Sequence, residues 1–137
     1  IQLKKCYAPA LDGLDGFGHV LVVWYFDRID CAIDRTNFDV RQPFKAAPDH
    51  AGVFATRPPH RPNPIALSVS EVIEVDHENA SIRIASSEAF DGTPVLDIKP
   101  YIPHLDRVEH PIVPLWCSHW PESVEESPAF DWEKERR

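Results

Sequence analysis

The sequence predicts a mainly β fold: a small single domain, barrel or sandwich, with little helix and long proline-rich loops. Three observations carry this reading. The chain has 137 residues, enough for one domain that buries roughly two-thirds of its unfolded surface without disulfides or a metal. It holds 14 prolines against 5 glycines, and proline both breaks helix interiors and cannot donate to a strand ladder, which favours short strands joined by stiff loops. Its apolar residues recur in short runs, separated by Asp, Asn, Gly and Pro.

The elements follow in chain order. In the opening stretch, Asp12-Gly13 and Asp15-Gly16 supply turn chemistry. From His19 to Phe26 the chain reads His-Val-Leu-Val-Val-Trp-Tyr-Phe. This β-branched and aromatic run has no polar alternation and predicts a strand buried on both faces. Asp27 to Ala51 mixes charge, Asn, Pro and Ala and is expected to be a long surface loop. Gly52 to Thr56 is a short strand candidate that leads into a proline-rich segment ending at Pro64. Next, Ile65, Leu67, Val69, Ile73 and Val75 alternate with Ala66, Ser68, Ser70 and Glu74, the pattern of a half-buried strand of about ten residues. Asp76 to Asn79 makes a turn, and Ala80, Ile82 and Ile84 supply the second arm of a hairpin. Asp91 to Pro94 is a further turn, followed by a strand from Val95 to Tyr101. The tail from His110 mixes prolines with Trp116, Trp120 and Trp132. It is expected to wrap irregularly over the single 1–137 domain, with one helical turn at Ser123 to Glu126 and frayed residues from Glu133 to Arg137.

Acidic residues outnumber basic ones, 22 to 14, for a net charge of −8. The averaged surface therefore repels phosphate backbones, and a nucleic-acid partner needs a local basic patch. The longest apolar run, Val20 to Phe26, falls far short of the roughly 20 residues of a membrane span. Cys6, Cys31 and Cys117 are odd in number and far apart, and no secretory signal precedes them; reduced thiols in the cytoplasm are expected. The chain opens on Ile1 and contains no methionine, which predicts further residues upstream. His104/Asp106 and Cys117/His119 lack a matched second half at zinc-ligand spacing, so no metal is expected. No dinucleotide or phosphate-binding glycine motif and no nucleophile elbow occurs.

Two segments carry chemistry. In Thr56-Arg-Pro-Pro-His-Arg-Pro-Asn-Pro-Ile65 each proline fixes its own φ and restricts its predecessor. The loop is stiff before anything binds. Either Arg57 and Arg61 pair with surface carboxylates, or Arg57, His60, Arg61 and Asn63 form a receptor for an anion whose ordering cost is met during folding. In the strand Val95 to Tyr101, alternation places Leu96 and Ile98 on one face and Val95, Asp97, Lys99 and Tyr101 on the other. That row is either a wet ion pair with a phenol at its rim or a titrating cluster.

Together, Gly52-Val-Phe-Ala-Thr-Arg-Pro-Pro-His-Arg-Pro-Asn-Pro-Ile-Ala-Leu-Ser68, Asp91-Gly-Thr-Pro-Val-Leu-Asp-Ile-Lys-Pro-Tyr-Ile-Pro103 and Gly13-Leu-Asp-Gly-Phe-Gly-His19 closely resemble the TsaA-like, TrmO-type family of S-adenosylmethionine-dependent tRNA methyltransferases. The resemblance runs over roughly residues 10 to 106. It implies a small β-barrel that dimerises, binds S-adenosylmethionine near the subunit interface and methylates the exocyclic nitrogen of a threonylcarbamoyl-adenosine beside the tRNA anticodon. It also implies cofactor contacts at Arg57, Asn63 and Leu67, at Phe90, Asp91, Gly92 and Thr93, and at Phe26 and Asp27, where Asp27 stands in place of a common histidine. Pro58 replaces a common serine and Ala66 a common glycine.

In such an enzyme, methyl transfer is a displacement on an activated carbon, so positioning supplies most of the catalysis. From residue type, Asp97 is assigned to accept or orient the amino proton, Tyr101 to stack on or bond the base, and Lys99 to contact phosphate. The alternatives are a dimeric S-adenosylmethionine-binding module without methyl transfer, or a methyltransferase acting on a different small substrate.

Overall fold

In the computed structural model, which describes residues 1–42 and 44–136, the apolar run His19–Tyr25 forms β1, an inner strand of a four-stranded sheet. β1 pairs antiparallel with Ile65–Asp76 (β4) on one side and with Val95–Pro100 (β6) on the other. Ser81–Ile84 (β5) completes the sheet beyond β4, joined to it by the expected hairpin. Asp76 organises that turn by accepting from the Asn79 amide at 2.9 Å. Residues 1–3 lie along β5: the Ile82 amide donates to the Ile1 carbonyl at 3.0 Å and the Leu3 amide to the Ala80 carbonyl at 2.9 Å. The expected barrel is not seen among the described residues. The strands make an open sheet in the order β5-β4-β1-β6.

Only one face of β1 is fully buried. Val20, Val22 and Trp24 form the core, with Ile1, Leu14, Ala66, Val72, Ile84, Ala89, Val95 and Ile98 packed on them. Leu21, Val23 and Tyr25, on the opposite face, are half-buried. The two-faced burial expected from the unbroken apolar run is corrected accordingly.

The face assignment along β4 is also the reverse of what its alternation suggests. Val20, Val22 and Trp24 stand opposite Ser70, Ser68 and Ala66, and residues directly opposite in an antiparallel pair share a face. The small residues therefore line the core and make room for the indole of Trp24, while Ile65 and Leu67 remain 45% and 46% exposed. The hydroxyls are satisfied there: the Trp24 indole donates to Ser68 Oγ at 3.1 Å, and Ser70 Oγ donates to the Ser86 carbonyl at 3.1 Å. A hydrogen-bonded serine is compatible with burial.

Contacts divide the chain into two units: Ile1–Arg28 with Pro64–Arg107, which holds the sheet, and Ile29–Asn63 with the tail from Val108. In the second unit the expected loop is partly structured. Ala32–Thr36 is helical (α1), and Asp39–Arg41 (β2) pairs with His50–Gly52 (β3). Elements of three to five residues are too short to show a period in sequence. Val53–Ala55 is a 3-10 turn, not the expected strand.

Two further short helices are Pro103–Asp106 (α2) in the first unit and Trp132–Glu135 (α3) in the tail. The tail is anchored by aromatics, as expected, but against the second unit's own residues. Phe44 lies 4.6 Å from Trp120 and 6.1 Å from Trp116 between ring centroids, and Trp132 packs on both Trp120 and Phe130. Glu133 to Glu135, expected to fray, belong to α3, whose first turn is capped by Asp131 accepting from the Lys134 amide. Arg137 lies outside the described residues. The helical turn expected at Ser123 to Glu126 is not formed there; a 3-10 turn follows at Ser127–Ala129. Among the described residues no helix is long and apolar enough to cross a membrane.

Candidate functional site

One end of the sheet gathers most of the residues that the sequence singled out. The Tyr25 amide donates to the Pro94 carbonyl at 2.9 Å and the Phe26 amide to the Pro64 carbonyl at 2.8 Å. Each proline lacks an N–H but keeps its acceptor, so the end of β1 is tied to the starts of β4 and β6. Phe26 and Asp27 thereby sit where Leu67, third in β4, and the Phe90–Thr93 turn also arrive. That turn is closed by the Thr93 amide donating to the Phe90 carbonyl at 3.1 Å, and Gly92 has φ +80°. Phe90 is 71% exposed. Arg28, which sequence reading did not single out, donates from Nη2 to the Asp91 carbonyl at 2.7 Å and lies 5.5 Å from the Phe90 ring centroid. Its only sequence signal is a basic residue just past a strand end.

The proline-rich segment belongs to the second unit up to Asn63, and α1 braces it. His60 Nδ1 meets Asp34 Oδ1 at 2.8 Å, and Arg35 donates to the Pro62 carbonyl at 3.1 Å. The Asp34 carboxyl is held below its usual range, first by the Cys31 thiol that donates to it and then by His60. A thiol bonded to a carboxylate and not to an imidazole is not arranged as an activated nucleophile. The two guanidiniums of the segment separate in role. Arg61 folds back onto the Thr56 and Pro58 carbonyls, each at 3.4 Å. Arg57 is exposed and, among the described residues, meets no carboxylate. Asn63, further along the segment, is also exposed.

Along β6 the expected row is only partly realised. A β-bulge between Val23 and Trp24 puts Val95 opposite Trp24 while Ile98 stays opposite Val22, so both face the core and Val95 leaves the Asp97 row. Asp97 and Lys99 do share the open face, opposite Val23 and Leu21. Lys99 Nζ lies 2.6 Å from Asp97 Oδ2, and the Ile98 amide donates to Asp97 Oδ1 at 2.9 Å. Lys99, more than the backbone bond, holds the Asp97 carboxyl below its usual value. A carboxylate so stabilised is a weak base and is better suited to orienting a donor than to taking its proton.

Tyr101 is four residues beyond Asp97, about 13 Å along an extended strand. Its amide donates to the His19 carbonyl at 3.0 Å and its ring stands edge-on to His19 at 6.4 Å. It therefore marks the opposite end of the sheet from Phe26 and the Phe90–Thr93 turn. Among the described residues no group of three His, Cys, Asp or Glu side chains could hold a metal.

Residues 1–107 match the family model described as the tRNA-methyltransferase O N-terminal domain. A probable S-adenosyl-L-methionine-binding protein of Pyrococcus abyssi is 36% identical over 110 residues, covering 80% of this chain and 55% of that protein. The tRNA (adenine(37)-N6)-methyltransferase of Escherichia coli K12 is 39% identical over 103 residues, covering 74% of this chain and 43% of that enzyme. The crystal structure of TrmO from Pseudomonas aeruginosa superposes with a TM-score of 0.60 at 32% identity, over 81% of this chain and 44% of that one. The chain thus spans about half the length of these relatives. With a family model matched across the whole sheet unit and the motif-bearing loops between its strands, the chain belongs to the TsaA-like, TrmO-type family.

Proposed function

We propose that this chain is an S-adenosylmethionine-dependent methyltransferase that acts on tRNA, at the exocyclic nitrogen of a threonylcarbamoyl-modified adenosine next to the anticodon. The observation that carries the reading is the tying of Phe26, Asp27 and the Phe90–Thr93 turn to one end of the sheet through the Pro64 and Pro94 carbonyls. Each unit, taken by itself, carries groups suited to the cofactor. Arg57, without a carboxylate partner among the described residues, suits an amino-acid carboxylate. Phe90 offers an exposed aromatic face to a cation or a purine, and the turn's backbone and Asn63 offer hydrogen bonds to polar edges. When bound, the cofactor supplies a methyl group on a sulfonium.

The chain's own part is to hold and orient. Leu67 and Phe26 exclude water, Asp97 orients the acceptor's N–H, and Lys99 neutralises Asp97 and contacts phosphate. Tyr101 holds nucleotide at the far end of the sheet. Homodimerisation, a cytoplasmic location and a barrel form of the fold belong to the same proposal.

Calorimetry with S-adenosylmethionine tests the cofactor step. Wild type is expected to bind, and Arg57→Ala to weaken binding about tenfold or more. No heat from a folded wild-type protein overturns the reading. Transfer of radiolabelled methyl to bulk tRNA from cells lacking the endogenous activity tests the enzyme. Cofactor binding without transfer favours the second reading, a binding module. The net charge of −8 supports that alternative, because it opposes a polyanionic substrate.

A further inference from the structure

The Phe90–Thr93 turn has a backbone choice that a residue outside it can bias. A four-residue turn closed by its first carbonyl and last amide occurs in two common forms that differ by rotation of the central peptide. The φ of +80° at Gly92, the third residue, is that of the form in which the second carbonyl, here of Asp91, points outward. Glycine tolerates either sign of φ, so Gly92 makes the form with positive φ accessible without excluding the other. In that form the Asp91 carbonyl accepts a bond from the Arg28 guanidinium at 2.7 Å. The same planar group lies 5.5 Å from the centroid of Phe90, so one side chain holds the second carbonyl and the first ring of the turn. Its base is held close to fixed backbone, because Arg28 stands two residues beyond Phe26, which donates to the Pro64 carbonyl, and three beyond Tyr25, which donates to that of Pro94.

We propose that Arg28 is a positioning residue: it selects the peptide rotation in the Phe90–Thr93 turn and thereby sets the affinity for the sulfonium nucleoside. The second half rests on the reading of this turn as a cofactor grip. A charge-assisted bond to a carbonyl is strong enough to decide between two turn forms. Arg28 is itself exposed, so its removal takes away little buried surface and leaves the sheet intact.

The test uses the full chain with Arg28→Ala and Arg28→Lys. Three quantities are measured: the nuclear Overhauser effect between Asp91 Hα and the Gly92 amide, which is strong only with the central peptide rotated as seen here, the Kd for S-adenosylmethionine and its demethylated product, and the unfolding temperature. For Arg28→Ala the expectation is a severalfold weaker Overhauser effect and about tenfold weaker binding of both nucleosides, with the unfolding temperature within about 2 °C of wild type. Arg28→Lys, whose ammonium can donate to the same carbonyl, is expected to recover the Overhauser effect and bring Kd to within about threefold of wild type. An unchanged Overhauser effect in the alanine variant overturns the proposal, and so does a lysine variant no better than alanine. If the wild type binds neither nucleoside, the proposed function fails and takes the affinity half with it, while the Overhauser measurement still decides whether Arg28 selects the rotation.

Discussion

Arg57 and Arg61 stand in the same stiff segment, yet only one is left for a ligand. Arg61 spends its donors on the Thr56 and Pro58 carbonyls, so Arg61→Ala is expected to loosen the loop: backbone exchange between Thr56 and Asn63 rises, whereas Arg57→Ala leaves it unchanged. Equal protection in both variants would contradict this division. The stiffness was legible from the prolines; the fold-back of Arg61 was not, because it depends on where the loop's carbonyls point.

A second residue-scale prediction concerns His77, which bonds Asp15 at 2.9 Å and lies 3.5 Å from Asp12. Asp15, foremost, raises the imidazole's pKa, with Asp12 and Asp76 adding smaller effects, and His77 in turn lowers that of Asp15. A raised histidine pKa contributes stability that is fully present below the ordinary value of about 6.5 and lost as pH rises through the folded value. A lowered aspartate pKa contributes stability that is present above about 3.9 and lost as pH falls through its folded value. The gap in unfolding temperature between wild type and His77→Gln should therefore be widest between those limits and close at alkaline pH. A gap constant from pH 5 to 9 would show that the pair does not act through charge.

At the scale of elements, bulges decide which face a residue joins. Alternation placed Val95 with Asp97, but the bulge opposite Val23 and Trp24 returned it to the core. On β4 the shift between Val72 and Glu74 lets Val72 meet Ile84 and Val75 meet Ile82, so two apolar residues an odd number apart both find apolar partners. The consequence is measurable by denaturant unfolding. Val22→Ala, at a fully buried position, is expected to cost about 2–3 kcal/mol, and Ile65→Ala, on the open face, less than about 1 kcal/mol. Similar costs would mean that Ile65 is buried in solution. The strands themselves were legible, since β1, β4, β5 and β6 fall within a residue or two of the expected runs. The faces were not, because a one-residue insertion in a ladder leaves no mark on composition.

For the whole molecule, the governing quantity is charge. With a net −8, the proposed binding of tRNA must come from a local cluster of cations and should fall steeply with salt, the logarithm of affinity dropping by about 0.7 per phosphate neutralised for each tenfold rise in salt. Binding that is insensitive to salt between 50 and 200 mM would argue against phosphate contacts. Sedimentation across a range of protein concentration tests the proposed dimer, and a monomer at all concentrations counts against it.

The sequence by itself determined the family, the strand-rich class and the rigidity of the proline segment, because each follows from local residue type: φ-locking by proline, turn chemistry at Asp-Gly pairs, and long motifs that need no partner to be recognised. Only tertiary structure decided that serines and not leucine line the core side of β4, that Tyr101 lies at the far end of the sheet from the Phe90–Thr93 turn, that the tail's tryptophans pack with Phe44, and that Arg28 reaches the Asp91 carbonyl. These are pairings between residues distant in the chain, set by register, by bulges and by the direction of individual carbonyls.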